Sequence, residues 1–299
     1  MGISHYIKDI GRGKDGARAL GRVQAADLMG QILDQQVSDL ELGAFCIAMR
    51  VKGETPEEMA GFLDATHARL NRVHTCQAPT VVLPCYNGAR KLPVLTPLLA
   101  LLLAREGVAV VMHGTATEDK RVSSQAVLTA LGITASGTSP QVQASEVVFV
   151  PTGVLNAGLE KLLSVRRVVG LRNPGHSLVK LMNPCEGPAL VVSSYTHPEY
   201  LLSMSATFAL TGQHALLLRG TEGESVADAR RAPAMDVFNK GQTLRVQAPQ
   251  EGSLLQVPDL PGTDAAATAT YIQHVMRGAL PVPAPLALQV QHILHEVKP

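Results

Sequence analysis

Apolar positions recur at helical spacing through the first seventy or so residues. Ala25, Leu28, Met29, Ile32 and Leu33 fall on one face, and Leu42, Phe45, Cys46 and Met49 form a second stripe. Two start signals frame the second stripe. Ser38-Asp39-Leu40-Glu41 reads as a capping box, in which Ser38 accepts from a free backbone N–H and Glu41 reaches back. Thr55-Pro56-Glu57-Glu58 supplies a cap, a proline at the first helical position and acids in the first turn. The pattern predicts three or four helices here and no strand.

The period changes at Pro79. Short β-branched runs begin at Thr80 (TVVLPC), Val108 (VAVVM), Glu146 (EVVFV), Ala189 (ALVVSS) and His214 (HALLLRG). Helical segments alternate with them at Thr96–Glu106, Ser123–Leu131 and Glu199–Leu210. Continuous apolar strands alternating with helices predict an α/β fold, a mainly parallel sheet flanked by helices. The basic stretch 155–180 is helical again and is expected to pack back on the N-terminal helices. That gives a helical dimerisation domain of residues 1–75 with about 155–180, and an α/β domain of residues 76–154 and 181–299. Residues 236–258 read as a short antiparallel addition, followed by two closing helices around Pro281 and Pro283.

Composition narrows the class. With 46% hydrophobic and 17% charged residues, the chain is an ordinary globular protein and not a disordered one. Cys46, Cys76, Cys85 and Cys185 form no CxxC pair, which points to free thiols in a reducing cytoplasm. The greasiest run, residues 92–104, is too short to span a bilayer and is broken by Pro93 and Pro97, so no membrane partner is expected. Aromatic residues make up only 3% of the chain and Trp is absent.

In α/β sheets ligands sit at the carboxyl ends of strands. The loops expected there are Cys85-Tyr86-Asn87-Gly88-Ala89-Arg90-Lys91, His113-Gly114-Thr115-Ala116 and Arg219-Gly220-Thr221-Glu222-Gly223-Glu224. Around them, LMGQILDQQVSDLELGAFCIAMRVKGETPEEMAGF resembles the helical domain of the anthranilate phosphoribosyltransferase fold. VAVVMHG followed by SSQAVLTALGI is similar to that family's second phosphate loop, and SVRRVVGLRNPGHSLVKLMNP to its hinge-and-substrate segment. The resemblance covers almost the whole chain. It implies a smaller, discontinuous all-helical domain beside the sheet.

The departures bear on function. The family's GTGGD turn becomes Cys85-Tyr86-Asn87-Gly88-Ala89, with only Gly88 retained and bulky Tyr86 expected to obstruct the loop. The KHGNR loop becomes Met112-His113-Gly114-Thr115-Ala116, without its lysine and arginine. The magnesium-holding acidic pair falls near Ser225-Val226, displaced from Glu222 and Glu224. Asn87, Gly88, Thr96, His113, Gly114 and Thr115 are therefore expected to outline a vestigial phosphate site, with no catalytic residue and no metal assigned. The opening IKDIGRGKDGARAL, the YNGARK loop, RGTEGE and THPEY resemble the YbiB-type branch of the fold. That resemblance implies a homodimer, joined through the helical lobes, whose basic grooves hold DNA or RNA without sequence specificity and without a cofactor. The alternative is a glycosyltransferase using phosphoribosyl pyrophosphate and Mg2+, with Arg166 at the acceptor. A sensor that binds a phosphorylated metabolite and nucleic acid in one cleft is a third.

The net charge of +1 hides a gradient. Residues 76–180 hold ten Lys/Arg against five acids, while both flanks lean acidic. The expected nucleic-acid contacts are Arg90, Lys91, Lys120, Arg121, Lys161, Arg166, Arg167, Arg172 and Lys180. Lys14, Arg18 and Arg22 join them because their i, i+4 spacing gives one face if the segment is helical. A run of Lys and Arg is equally the signature of a solvated face. With so few aromatics, base stacking is expected to be minor. His292, His295 and Glu296 read as a surface cluster, not a metal site.

Overall fold

The computed structural model describes residues 2–116, 118–253 and 258–298, with Lys14 described by its backbone alone. The helical start comprises α1 (Ser4–Ile10), α2 (Gly13–Gly16), α3 (Arg22–Leu33), α4 (Asp39–Lys52) and α5 (Pro56–His67). The Ser38 capping box forms, and the Thr55 start signal forms one as well. The Glu41 N–H donates to Ser38 Oγ at 3.3 Å and the Ser38 N–H to Glu41 Oε2 at 2.9 Å. The Thr55 and Glu58 pair repeats the exchange at 3.2 and 2.9 Å. Each box satisfies N–H groups that a helix start otherwise leaves open.

The chain continues through β1 (His74–Thr75), β2 (Thr80–Pro84), α6 (Thr96–Arg105), β3 (Ala109–Gly114), α7 (Ser124–Ala130), β4 (Gln141–Val142) and β5 (Val147–Pro151). Then come α8 (Thr152–Leu155), α9 (Ala157–Val169), α10 (Gly175–Leu181), β6 (Leu190–Tyr195), α11 (Pro198–Thr211) and β7 (Ala215–Arg219). β8 (Met235–Asn239), β9 (Gln242–Gln247), α12 (Ala265–Met276) and α13 (Ala284–Val297) complete it. The seven-stranded sheet has the order β5-β3-β2-β6-β7-β8-β9. Its first five strands are parallel, and β8 and β9 join antiparallel. The expected antiparallel addition is this β8–β9 hairpin; residues 254–257, within the stretch assigned to it, lie outside the described residues.

Strand alternation splits the core in two. Val82, Val111, Val191 and Leu217 face the helical side, joining Leu28, Phe45 and Phe62. Val81, Val110, Val192 and Leu216 face Leu98, Ile272 and Ile293 on α6, α12 and α13. β2 is buried along its whole length, which is why its sequence shows no alternation. The basic helices α9 and α10 pack on α3, α4 and α5. Among the described residues no helix is long and apolar enough to cross a membrane.

One helical expectation fails. α2 is a single turn, and Ala17 leaves it in extended conformation. The backbone of Lys14, Arg18 and Arg22 therefore follows no common helix; Gly13 and Gly16 inside a short run favour a turn. The side chain of Lys14 lies outside the described residues, and Arg22 is held by Asp64 at 2.6 and 2.8 Å.

Candidate anion and nucleic-acid site

Because the strands run parallel, Pro84, Gly114, Tyr195 and Arg219 end on one edge of the sheet. The loops that follow converge there, and two carboxylates organise them. Glu224, 1% exposed, accepts at Oε1 from the backbone N–H of Asn87 (2.9 Å) and Gly88 (2.8 Å). Its Oε2 accepts from Ser124 Oγ (2.8 Å) and Thr96 Oγ1 (3.3 Å). Glu222 Oε1 accepts from the backbone N–H of Arg90, Lys91 and Leu92 at 3.2, 2.7 and 3.0 Å, and Arg121 lies 3.4 Å from its Oε2. Burial raises the Glu222 carboxyl pKa, but the three N–H donors and Arg121 outweigh it and hold it below the usual range. Glu222 sits at φ 51, a left-handed conformation that a non-glycine residue adopts at a cost; its three N–H donors offset it. At Gly223, φ is 90 and an added Cβ would lie 1.9 Å from Asn87 Nδ2, so only glycine lets the two loops meet.

The backbone N–H groups of these loops thus converge on the protein's own acids. This corrects the expected role of Tyr86. Its side chain turns inward, with its OH 2.8 Å from His113 Nδ1 and accepting from Thr152 at 3.0 Å. Glu224, not Tyr86, fills the loop. His113 is fully buried, which pushes its pKa down to about 3, and its Nε2 has no partner. Thr115 donates to Glu160 at 2.9 Å, and a Cβ on Gly114 would lie 2.0 Å from the Cys85 carbonyl oxygen. Ser225, where the family's acidic pair was aligned, donates to the Pro84 carbonyl at 2.9 Å.

The expected cations divide into groups. Arg121 (3.2 Å), Arg166 and Arg172 (3.7 Å) converge on Glu118, and Arg167 reaches the Ala116 carbonyl at 3.1 Å. Burial raises the Glu118 pKa, but Arg166 and Arg121 overcome this and hold it low. Arg90, Lys91 and Lys120 are exposed on the rim. Three others are committed elsewhere: Arg22 to Asp64, Lys161 to Asp39 at 3.0 Å, and Lys180 to the Gly223 carbonyl at 2.9 Å. Enclosure drives the Lys180 ammonium down to about 8. Arg50, at the end of α4 and not among the expected contacts, lines a cavity of about 360 Å3 between the helices and the sheet with Arg172 and His176. Arg219, in the loop expected at the ligand edge, lines a second cleft of about 830 Å3 with Lys91 and with Arg230 and Arg231, which the sequence did not single out. Spacing gave no signal for Arg230 and Arg231, which loop folding brings to the cleft. His292 Nε2 donates to Gln247 Oε1 at 3.0 Å.

Residues 4–69 match the helical bundle domain of the glycosyl transferase family. The chain is 38% identical over 298 residues to the uncharacterized protein YbiB of Escherichia coli K12, covering 97% of this chain and 92% of that one. It is 28% identical over 284 residues to the anthranilate phosphoribosyltransferase of Anaeromyxobacter dehalogenans, covering 92% and 83%. The crystal structure of the Thermus thermophilus anthranilate phosphoribosyltransferase matches with a TM-score of 0.75 at 21% identity, over 98% of this chain and 88% of that one. A helical bundle beside a mainly parallel α/β sheet, and similarity along nearly the full length, establish this chain as a YbiB-like member of the anthranilate phosphoribosyltransferase family.

Proposed function

We propose that the protein binds DNA or RNA through the phosphate backbone, as a homodimer, without phosphoribosyl transfer. The observation that carries this reading is how the charges are sorted at the sheet edge. Glu222 and Glu224 turn inward onto backbone N–H groups, while the side chains of Arg90, Lys91 and Lys120 face solvent beside the arginines around Glu118. Outward cations on a rim attract a polyanion, and counterion release supplies the affinity.

A magnesium-bound diphosphate does not fit these residues. Its oxygens need the N–H donors of Asn87 and Gly88, which Glu224 already satisfies, and a second anion there would meet a buried carboxylate.

The helical face supports self-association. Leu40, Ile47 and Val51 share one side of α4 and are 85%, 40% and 55% exposed, with Val168 of α9 at 89%. A second copy covering this stripe would remove apolar surface from water and set two cationic rims near each other.

The test is an anisotropy titration with labelled DNA and RNA of unrelated sequences across a salt series. The expected affinity is sequence-independent, and log K falls with log salt by ~0.7–0.9 per phosphate contact. Changing Arg90 and Lys91 to Ala weakens every sequence alike and lowers the slope. Absence of binding at low salt, with calorimetric binding of phosphoribosyl pyrophosphate and Mg2+, would reverse the assignment in favour of the transferase.

A further inference from the structure

The chain has five Phe, five Tyr and no Trp. All five Phe, with Tyr6, Tyr86 and Tyr271, are buried. The two aromatic side chains that reach solvent, Tyr195 and Tyr200, lie together. Tyr195 ends β6, Tyr200 sits in the first turn of α11, and the ring of His197 stands edge-on to Tyr200 at 6.2 Å.

Their surroundings are cationic on both sides. Tyr195 and Thr196 line both the 360 Å3 cavity, which carries Arg50 and Arg172, and the 830 Å3 cleft, which carries Lys91, Arg219 and Arg231. The two spaces therefore meet at Tyr195. Acids facing the second cleft are already engaged: Glu222 by backbone N–H groups, and Asp228 by Arg230 at 2.9 and 2.7 Å. Among the described residues no acid pairs with Lys91, Arg219 or Arg231, and Arg231 donates to the Gly252 carbonyl at 2.8 Å. Glu54 and Glu199 face the first cavity, so the stronger cationic arm is the second.

We propose that Tyr195 and Tyr200 form a base-stacking platform that joins the two clefts into one track for single-stranded nucleic acid. This rests on the nucleic-acid reading above and adds strand selectivity to it. Phosphates run along the cations, while unpaired bases lie on the tyrosine rings. A duplex keeps its base faces stacked inside and offers the rings nothing.

The absence of Trp makes the test direct, because emission then comes from the five tyrosines, of which Tyr195 and Tyr200 alone are not buried. The probes are an oligothymidylate and a mixed-sequence duplex of equal length. Binding of the single strand is expected to quench tyrosine emission in the parent protein, and the duplex is not. The double variant Tyr195→Leu, Tyr200→Leu keeps apolar bulk and is expected to lose ~10-fold in single-strand affinity, with duplex affinity and salt slope unchanged. Tyr195→Phe with Tyr200→Phe keeps the affinity and loses the quenching. Equal losses for both probes, or no quenching in the parent with equal affinity for both, would overturn the platform and leave backbone binding standing. Binding of neither probe at low salt would overturn the wider reading and the platform with it. If the Leu pair unfolds, the parent's quenching and the Phe pair decide.

Discussion

Glu224 Oε1 accepts from the backbone N–H of Gly88 at 2.8 Å, across more than a hundred residues of sequence. That bond sets a buried carboxylate against the loop's backbone donors. It ties the loop after β2 to the loop after β7 and satisfies donors that would otherwise need a ligand or water.

Removing that carboxylate should both destabilise the protein and uncover those donors. Glu224→Ala leaves two backbone N–H groups and two hydroxyls without their partner, and a buried unsatisfied donor costs ~1–3 kcal/mol. With water entering, a net loss of about 2–4 kcal/mol is expected. Millimolar pyrophosphate should restore part of the lost Tm in the variant and leave the parent unchanged. A variant as stable as the parent, and indifferent to pyrophosphate, contradicts the carboxylate's role.

Glu118 limits the reach of three arginines. Glu118→Gln removes the charge on which Arg121, Arg166 and Arg172 converge. Nucleic-acid affinity should rise ~3–10-fold at moderate salt, with a steeper salt slope as the arginines turn to phosphate. Unchanged affinity would show that this cluster lies off the binding surface.

Acid should destabilise the fold well before its carboxylates titrate. Burial pushes His113 and His176 down to about 3 and His67 to about 4, from an ordinary 6.5. Between those values the unfolded chain binds protons that the folded chain refuses. Stability therefore falls as pH drops below 6.5, by up to ~1.4 kcal/mol per pH unit for each histidine. Denaturant midpoints from pH 7 to 5 measure this, and His113→Gln should flatten the slope by about one histidine's share. A slope that the substitution does not touch would mean His113 titrates normally.

The helical lobe hangs on one buried acid. Glu58 accepts from the Leu20 N–H at 2.9 Å and the Thr55 N–H at 2.9 Å, and pairs with Lys52 Nζ at 2.6 Å. It is fully buried. Glu58→Ala strips Lys52 of its partner and should cost ~3–5 kcal/mol in chemical denaturation. A loss below about one kcal/mol would mean water replaces the carboxylate at almost no cost.

Ile47→Asp places a charge in the exposed stripe of α4. If the stripe joins two copies, light scattering should report a monomer, with the fold retained by circular dichroism. A dimer that survives the substitution uses another surface.

Sequence alone determined the elements of this protein. Two helix-start signals, the switch from helical to strand periodicity at Pro79, and continuous apolar strands specified a helical bundle and a parallel sheet. These signals are local: a cap spans one turn, and a strand buried on both faces is apolar at every position. The scarcity of acids among residues 76–180 also pointed to the basic edge of the sheet. The site's chemistry was decided by tertiary structure. Nothing near Gly88 announces Glu224 as its acceptor, and the i, i+4 spacing of Lys14, Arg18 and Arg22 lost its meaning once Ala17 left the helix. Composition counted ten aromatic rings and implied weak stacking, but only folding determines that eight are buried and that two stay half-exposed, Tyr195 lining both basic clefts and Tyr200 the first. Contacts between loops at the ends of different strands depend on chain reversals over a hundred residues, and local pattern carries no record of them.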